Sequence, residues 1–155
     1  MTAWRIVKHK YSATKAFDGE GARLYGGRWN SRGVPVVYTA ESQSLAVLEM
    51  LVHLDTADVL PSYVFFEVTV DKALVSALAE SDLPRDWQSD PPPPRLREIG
   101  DIWAVSNASV ALRVPSSLIP SEYNYILNPK HPEFARLRFG NAVPYRYDPR
   151  LAERK

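Results

Sequence analysis

The sequence predicts an α+β fold, a single compact domain in which helices flank a largely antiparallel or mixed sheet. Three observations predict it. Segments of strand and helix character interleave irregularly along the chain, Gly and Pro clusters punctuate them, and no internal repeat is present. With 155 residues, 45% of them hydrophobic and 24% charged, the chain has the normal globular balance and can bury one sizeable core. The domain is expected to span residues 1–155.

Trp4 to Val7 reads as a first strand. Lys10 to Gly33 is broken by Gly19, Gly21, Gly26, Gly27 and Gly33, and such a stretch brings backbone close to a ligand because Gly tolerates conformations that a Cβ forbids. Pro35 to Thr39 is a β-branched and aromatic strand. Ser42 caps a helix from Gln43 to Leu54. Ser62 to Val70 is the strongest strand, with Val64, Phe66, Val68 and Val70 on one face. Asp71 caps a short helix to Ala79. Pro84 and the run Pro91 to Pro94 make Ser81 to Pro94 an extended surface loop. A helix from Leu96 to Val105 follows, then strands at Val110–Val114 and Tyr123–Leu127. A helical turn after Pro132 leads to a last strand at Val143–Tyr147, and Asp148–Lys155 reads as a frayed, charged tail.

Composition narrows the function. The net charge of +1 creates no field that recruits nucleic acid or acidic membrane. The residues after Met1 do not read as a secretory leader and none is expected, and no apolar run is long enough to span a bilayer. With no Cys there is no disulfide framework and no thiol nucleophile. A cytoplasmic protein is expected.

Several residues do not fit a core. Leu45 to Val52 is apolar on every face except at Glu49. A helix apolar all round is buried, so this carboxylate is partly desolvated and requires partners. A structural ion pair with an Arg, a narrow exposed edge and a catalytic cleft all satisfy that reading. Gly26-Gly27-Arg28-Trp29-Asn30 offers backbone N–H groups, a planar cation, an aromatic face and an amide in one loop; the alternative is a turn whose Arg covers a sheet edge. Tyr38, in an aliphatic strand, reads as core with its hydroxyl at the rim. Asn124 is unfavourable inside a strand and so hydrogen-bonds something specific, whereas Asn128 before Pro129 ends a strand. Ser116 and Ser117 follow Pro115 at a strand end, where a hydroxyl faces a cleft or caps a turn. Glu49 and His53 share a helical spacing, but no metal motif accompanies them and no metal is expected. The serines lack a nucleophile elbow.

Taken together, these residues resemble the RES family, which takes its name from its Arg, Glu and Ser positions. The resemblance runs from Trp4-Arg5 through Gly26-Gly27-Arg28-Trp29-Asn30, Gly33, Tyr38, Ala46 and Glu49 to Pro115-Ser116, Asn124, Asn128-Pro129 and His131-Pro132. It implies a fold similar to ADP-ribosyltransferases of the diphtheria-toxin type and a toxin that depletes NAD⁺, with no cofactor because NAD⁺ is itself the substrate. An Xre-like helix-turn-helix antitoxin is the implied partner, its C-terminal segment covering the cleft near Arg28, Tyr38 and Glu49, in assemblies that contain a toxin dimer. Arg28, Tyr38, Glu49 and a serine carry over as the catalytic set. The serine is either Ser116 or Ser117, with Ser116 favoured by its place directly after Pro115. Gly27, Trp29, Asn30 and Asn124 would bind substrate.

The implied chemistry is cleavage of the nicotinamide–ribose N-glycosidic bond. Transfer to water, to phosphate or to a protein side chain stays open. A different class of function, a non-catalytic partner-binding module using Arg136, Arg138, Arg146, Arg150 and Arg154, is the alternative; direct nucleic-acid binding is not expected. The Pro-rich loop matches no motif of the family.

Overall fold

Among the described residues eight strands form one mixed sheet. The computed structural model describes residues 1–54 and 62–151. Across the sheet the order is β4 (Val75–Ala77), β5 (Ala111–Pro115), β6 (Tyr123–Leu127), β2 (Val37–Ala40), β1 (Thr2–Lys8), β3 (Tyr63–Thr69) and β7 (Arg138–Phe139), and β8 (Val143–Tyr145) pairs with the other end of β3. Every pairing is antiparallel except β4 with β5. The helices are α1 (Ala13–Ala16), α2 (Glu20–Tyr25), α3 (Gln43–Leu51) and α4 (Pro94–Ser106). The architecture is the α+β class that the sequence predicts.

Strand alternation divides the core. Ala3, Val7, Val37, Val64, Phe66, Val68 and Leu127 point to one face, where Phe17 from the end of α1 and Leu137 cover them. The face of β3 anticipated from sequence is this one. On the opposite face, α3 packs Leu45, Ala46 and Val47 over Ile6, Ala40 and Phe65. Next to it, α4 packs Leu96, Trp103 and Ala104 over Leu112, Val114 and Ile126. Each fully buried aliphatic or aromatic side chain stabilises by about 1.5–3 kcal/mol. In the register of the sheet Ala40 lies opposite Asn124, and Tyr38 opposite Ile126. The polar Asn124 therefore falls on the line where the α3 patch meets the α4 patch.

Several elements differ from expectation. Asp71 Oδ1 accepts from Ala73 N at 3.0 Å, but it caps only a single 3₁₀ turn, Lys72–Leu74. The chain then becomes β4, because the β5 ladder takes up its backbone groups. The Gly-rich stretch holds two short helices, α1 capped by Ser12 and α2 between Gly19 and Gly26. Helix α3 is not buried all round: Leu48 is 40% exposed, and Val52 at its C-cap 55%. It ends at Leu51, short of Leu54, with Ser42 Oγ accepting from Leu45 N as its cap. Helix α4 begins two residues earlier than expected, with Pro94 in its first turn, where a missing N–H costs nothing. At the C-terminus Pro149–Leu151 forms a 3₁₀ turn, and the Arg150 guanidinium donates twice to Asp148, so this part of the anticipated frayed tail is folded. Arg154 and the end of the tail lie outside the described residues.

Candidate active site

At the seam between the α3 and α4 patches, three residues from three elements meet. Glu49 projects from α3. Ser116 Oγ, immediately after β5, donates to its Oε1 at 2.8 Å, and Asn124 Nδ2 from β6 donates to the same oxygen at 2.6 Å. The Ser116 hydroxyl is held in turn: it accepts from Leu118 N and Ile119 N, both at 3.1 Å, and the residue is wholly buried. With both lone-pair directions used by backbone amides, its hydrogen points at Glu49. Among the described residues Oε2 carries no hydrogen bond and Glu49 joins no salt bridge. The half-buried carboxylate is thus not an Arg-paired structural ion. It is a charge fixed by two neutral donors with one oxygen left open.

The two adjacent serines differ in this geometry: Ser116 bonds Glu49, while Ser117 offers its carbonyl to Gln88 Nε2 at 3.5 Å.

The Gly loop forms a second cluster. Tyr38 Oη donates to Asn30 Oδ1 at 2.7 Å and accepts from Trp29 N at 3.0 Å. Its hydroxyl is not at a rim but clasped inside the loop, and burial pushes its pKa well above the ordinary phenol value. Asn30, wholly buried, also donates through Nδ2 to the carbonyls of Ala22, Ser31 and Val34. Trp29 is 2% exposed, inside the α4 patch. The structure therefore places Trp29 and Asn30 in the interior as builders of the loop. At Gly27 an added Cβ would lie 2.5 Å from Tyr38 Oη, so the close approach this glycine permits is to the protein's own tyrosine.

Arg28 does not reach Glu49 by any direct contact. Its Nη1 donates to the carbonyls of Trp87 at 2.8 Å and Ser89 at 3.1 Å, both in the Pro-rich loop. Tyr38 and Asn124 are diagonal neighbours on one sheet face, which sets the Gly-loop cluster beside the carboxylate cluster.

Sequence reasoning missed four supports. Arg97 Nε donates to Gly27 O at 3.0 Å, and Asp101 Oδ1 accepts from Ser31 N at 2.9 Å. Between them Gly100 lets α4 cross the loop, since a Cβ there would overlap the Trp29 carbonyl oxygen. The i, i+3, i+4 spacing of Arg97, Gly100 and Asp101 is a helical face visible in the sequence. Arg5 on β1 donates through Nη1 to Tyr38 O at 2.8 Å, behind the site. Burial pulls its pKa down to about 10, which leaves it charged at neutral pH. Asn128, expected to end a strand, also caps α4 by donating to Ala104 O and Asn107 Oδ1. Among the described residues no group of His, Asp or Glu is arranged to hold a metal ion, and no helix is long and apolar enough to cross a membrane.

Fold and site together define an α+β protein whose polar centre is a single carboxylate, anchored from two neighbouring strands beside a Gly loop. The RES domain model matches residues 2–148. The chain belongs to the RES domain family. It is 40% identical over 152 residues to "Toxin Res" of Yersinia enterocolitica, covering 97% of this chain and 99% of the relative. It is 36% identical over 153 residues to "Prs ADP-ribosylating toxin" of Sphingobium sp., covering 96% and 94%. Its fold is similar to a chain in the crystal structure of the M. tuberculosis MbcT–MbcA toxin–antitoxin complex, with a TM-score of 0.78 and 19% identity over 97% of this chain and 86% of that one.

Proposed function

We propose that this protein is the toxin of a toxin–antitoxin pair, acting in the cytoplasm by cleaving the bond between nicotinamide and ribose in NAD⁺. The observation that carries the proposal is the half-satisfied Glu49: Oε1 is held by Ser116 and Asn124, and Oε2 is open. The C1′–N1 bond breaks with its electron pair leaving on nicotinamide, which departs neutral and needs no strong acid. Positive charge then develops on the ribosyl group. A carboxylate already oriented costs no reorganisation at that moment, and Oε2 accepts from ribose hydroxyls while offsetting the charge. Arg28 holds the pyrophosphate by charge-assisted hydrogen bonds. Tyr38, whose hydroxyl is spoken for, contributes its ring against nicotinamide or ribose. Water completes the reaction with release of a proton, or phosphate completes it as a nucleophile.

The name of the Sphingobium relative favours a second reading, in which a protein side chain is the acceptor. An Xre-like antitoxin is the proposed partner, with its C-terminal segment over the cleft and a toxin dimer in the complex. The likeness to a chain from the M. tuberculosis toxin–antitoxin complex supports the pairing.

Purified protein incubated with NAD⁺, with and without phosphate, and followed by mass spectrometry tests the reading. Nicotinamide with ADP-ribose, or with ADP-ribose 1″-phosphate, is expected. A protein carrying ADP-ribose selects the second reading. Intact NAD⁺ under all conditions leaves a non-catalytic binding module.

A further inference from the structure

The Pro-rich segment has no part in the chemistry above, yet it touches the site from two sides. Arg28 Nη1 donates to the carbonyls of Trp87 and Ser89. Between those residues Gln88 extends its Nε2 to Ser117 O, next to the serine that orients Glu49, at 3.5 Å. The segment is shaped by its own bonds: Trp87 N donates to Pro84 O at 3.1 Å, Ser89 N to Asp86 O at 2.9 Å, and Ser89 Oγ to Pro91 O at 3.0 Å. Trp87 and Leu83 pack against the α4 patch, and Pro93 leads directly into α4.

We propose that Trp87–Ser89 is a wall of the substrate site that aims Arg28, and that Gln88 is a positioning residue for the anionic part of the substrate. Nη1 of a guanidinium carries two hydrogens, and both are used by the Trp87 and Ser89 carbonyls. The Nε and Nη2 hydrogens, which bond nothing among the described residues, form the edge that grips two oxygens of a phosphate side-on. Two fixed carbonyls thus select which edge of Arg28 meets the ligand. The Gln88 contact to Ser117 lies at the outer limit of a hydrogen bond, so its amide is cheaply released to a phosphate or ribose oxygen. The proposal rests on the NAD⁺ reading for the identity of the ligand, a pyrophosphate, but not for the anchoring of Trp87–Ser89 on Arg28.

Two measurements test it. Trypsin cleaves after the exposed Arg85, in the same Pro-rich segment and two residues before the wall. In Arg28→Ala, cleavage there is expected to accelerate by roughly tenfold, because local opening no longer breaks the two carbonyl contacts. Inorganic pyrophosphate slows it in the native protein and not in the variant. In turnover, Gln88→Ala raises KM for NAD⁺ about 5–10-fold with kcat nearly kept, as expected for loss of one ground-state polar contact. Gln88→Glu raises KM further through like-charge repulsion, and added salt reduces the increment. Equal cleavage rates in native and Arg28→Ala protein, no pyrophosphate protection, or an unchanged KM in both Gln88 variants would each overturn the wall. If the native protein consumes no NAD⁺ but pyrophosphate still protects Arg85, the NAD⁺ reading falls and the wall stands.

Discussion

Glu49 separates two kinds of buried charge that look alike in sequence. A carboxylate paired with a cation is held by that pair, and breaking it destabilises by roughly 3–5 kcal/mol. Glu49 has only neutral donors, Ser116 and Asn124, on one oxygen. Glu49→Gln keeps an acceptor for both, so the melting temperature should hold, while NAD⁺ turnover should fall about 10²–10³-fold. A variant that melts much lower yet turns over NAD⁺ normally while folded would remove Glu49 from the chemistry. Tyr38→Phe should behave in the opposite way. It leaves Asn30 Oδ1 without its donor and Trp29 N without its acceptor inside the loop, a loss of about 1–3 kcal/mol in a denaturant titration.

At the scale of elements, α4 is as important to the site as the strands that carry it. Gly100 lets it rest on the Trp29 carbonyl, and Gly100→Ala forces that contact apart. Overpacking of this kind costs about 1–3 kcal/mol or more, so the thermal midpoint should drop and the Gly loop should lose its fixed shape; an unchanged midpoint would show that α4 adjusts freely. How much of this was legible depends on range. The alternation of β3 was readable because its period of two is a local pattern, although distant residues such as Ala3, Phe17 and Leu137 bury that face. The run around Glu49 declared a helix but misled on burial: α3 lies at the border of the molecule, so Leu48 and Val52 face outward despite being apolar. The stretch after Asp71 reads equally well as helix, and only its pairing with β5, far along the chain, makes it a strand. The same holds for the site. The Gly loop, Tyr38, Glu49 and Asn124 stand out singly by type and setting, whereas the hold of Trp87 and Ser89 on Arg28 spans 59 and 61 residues and leaves no pattern in the sequence.

For the whole molecule, the expected outcome is arrest. Expressed alone, the protein should stop bacterial growth while the NAD⁺ pool falls, and its antitoxin should restore both; arrest with an undiminished pool would contradict the proposed activity. The clasp between α4 and the Gly loop reaches beyond catalysis into how the fold opens. Trp29 N–H is held by Tyr38, Ser31 N–H by Asp101 and Gly27 N–H by Asn30 O. The Trp29 and Ser31 amides are not freed by fraying of the loop alone, because their acceptors belong to a strand and to a helix. In native-state hydrogen exchange the loop should therefore exchange in step with α4, as one cooperative unit, rather than at the fast rates of a surface turn.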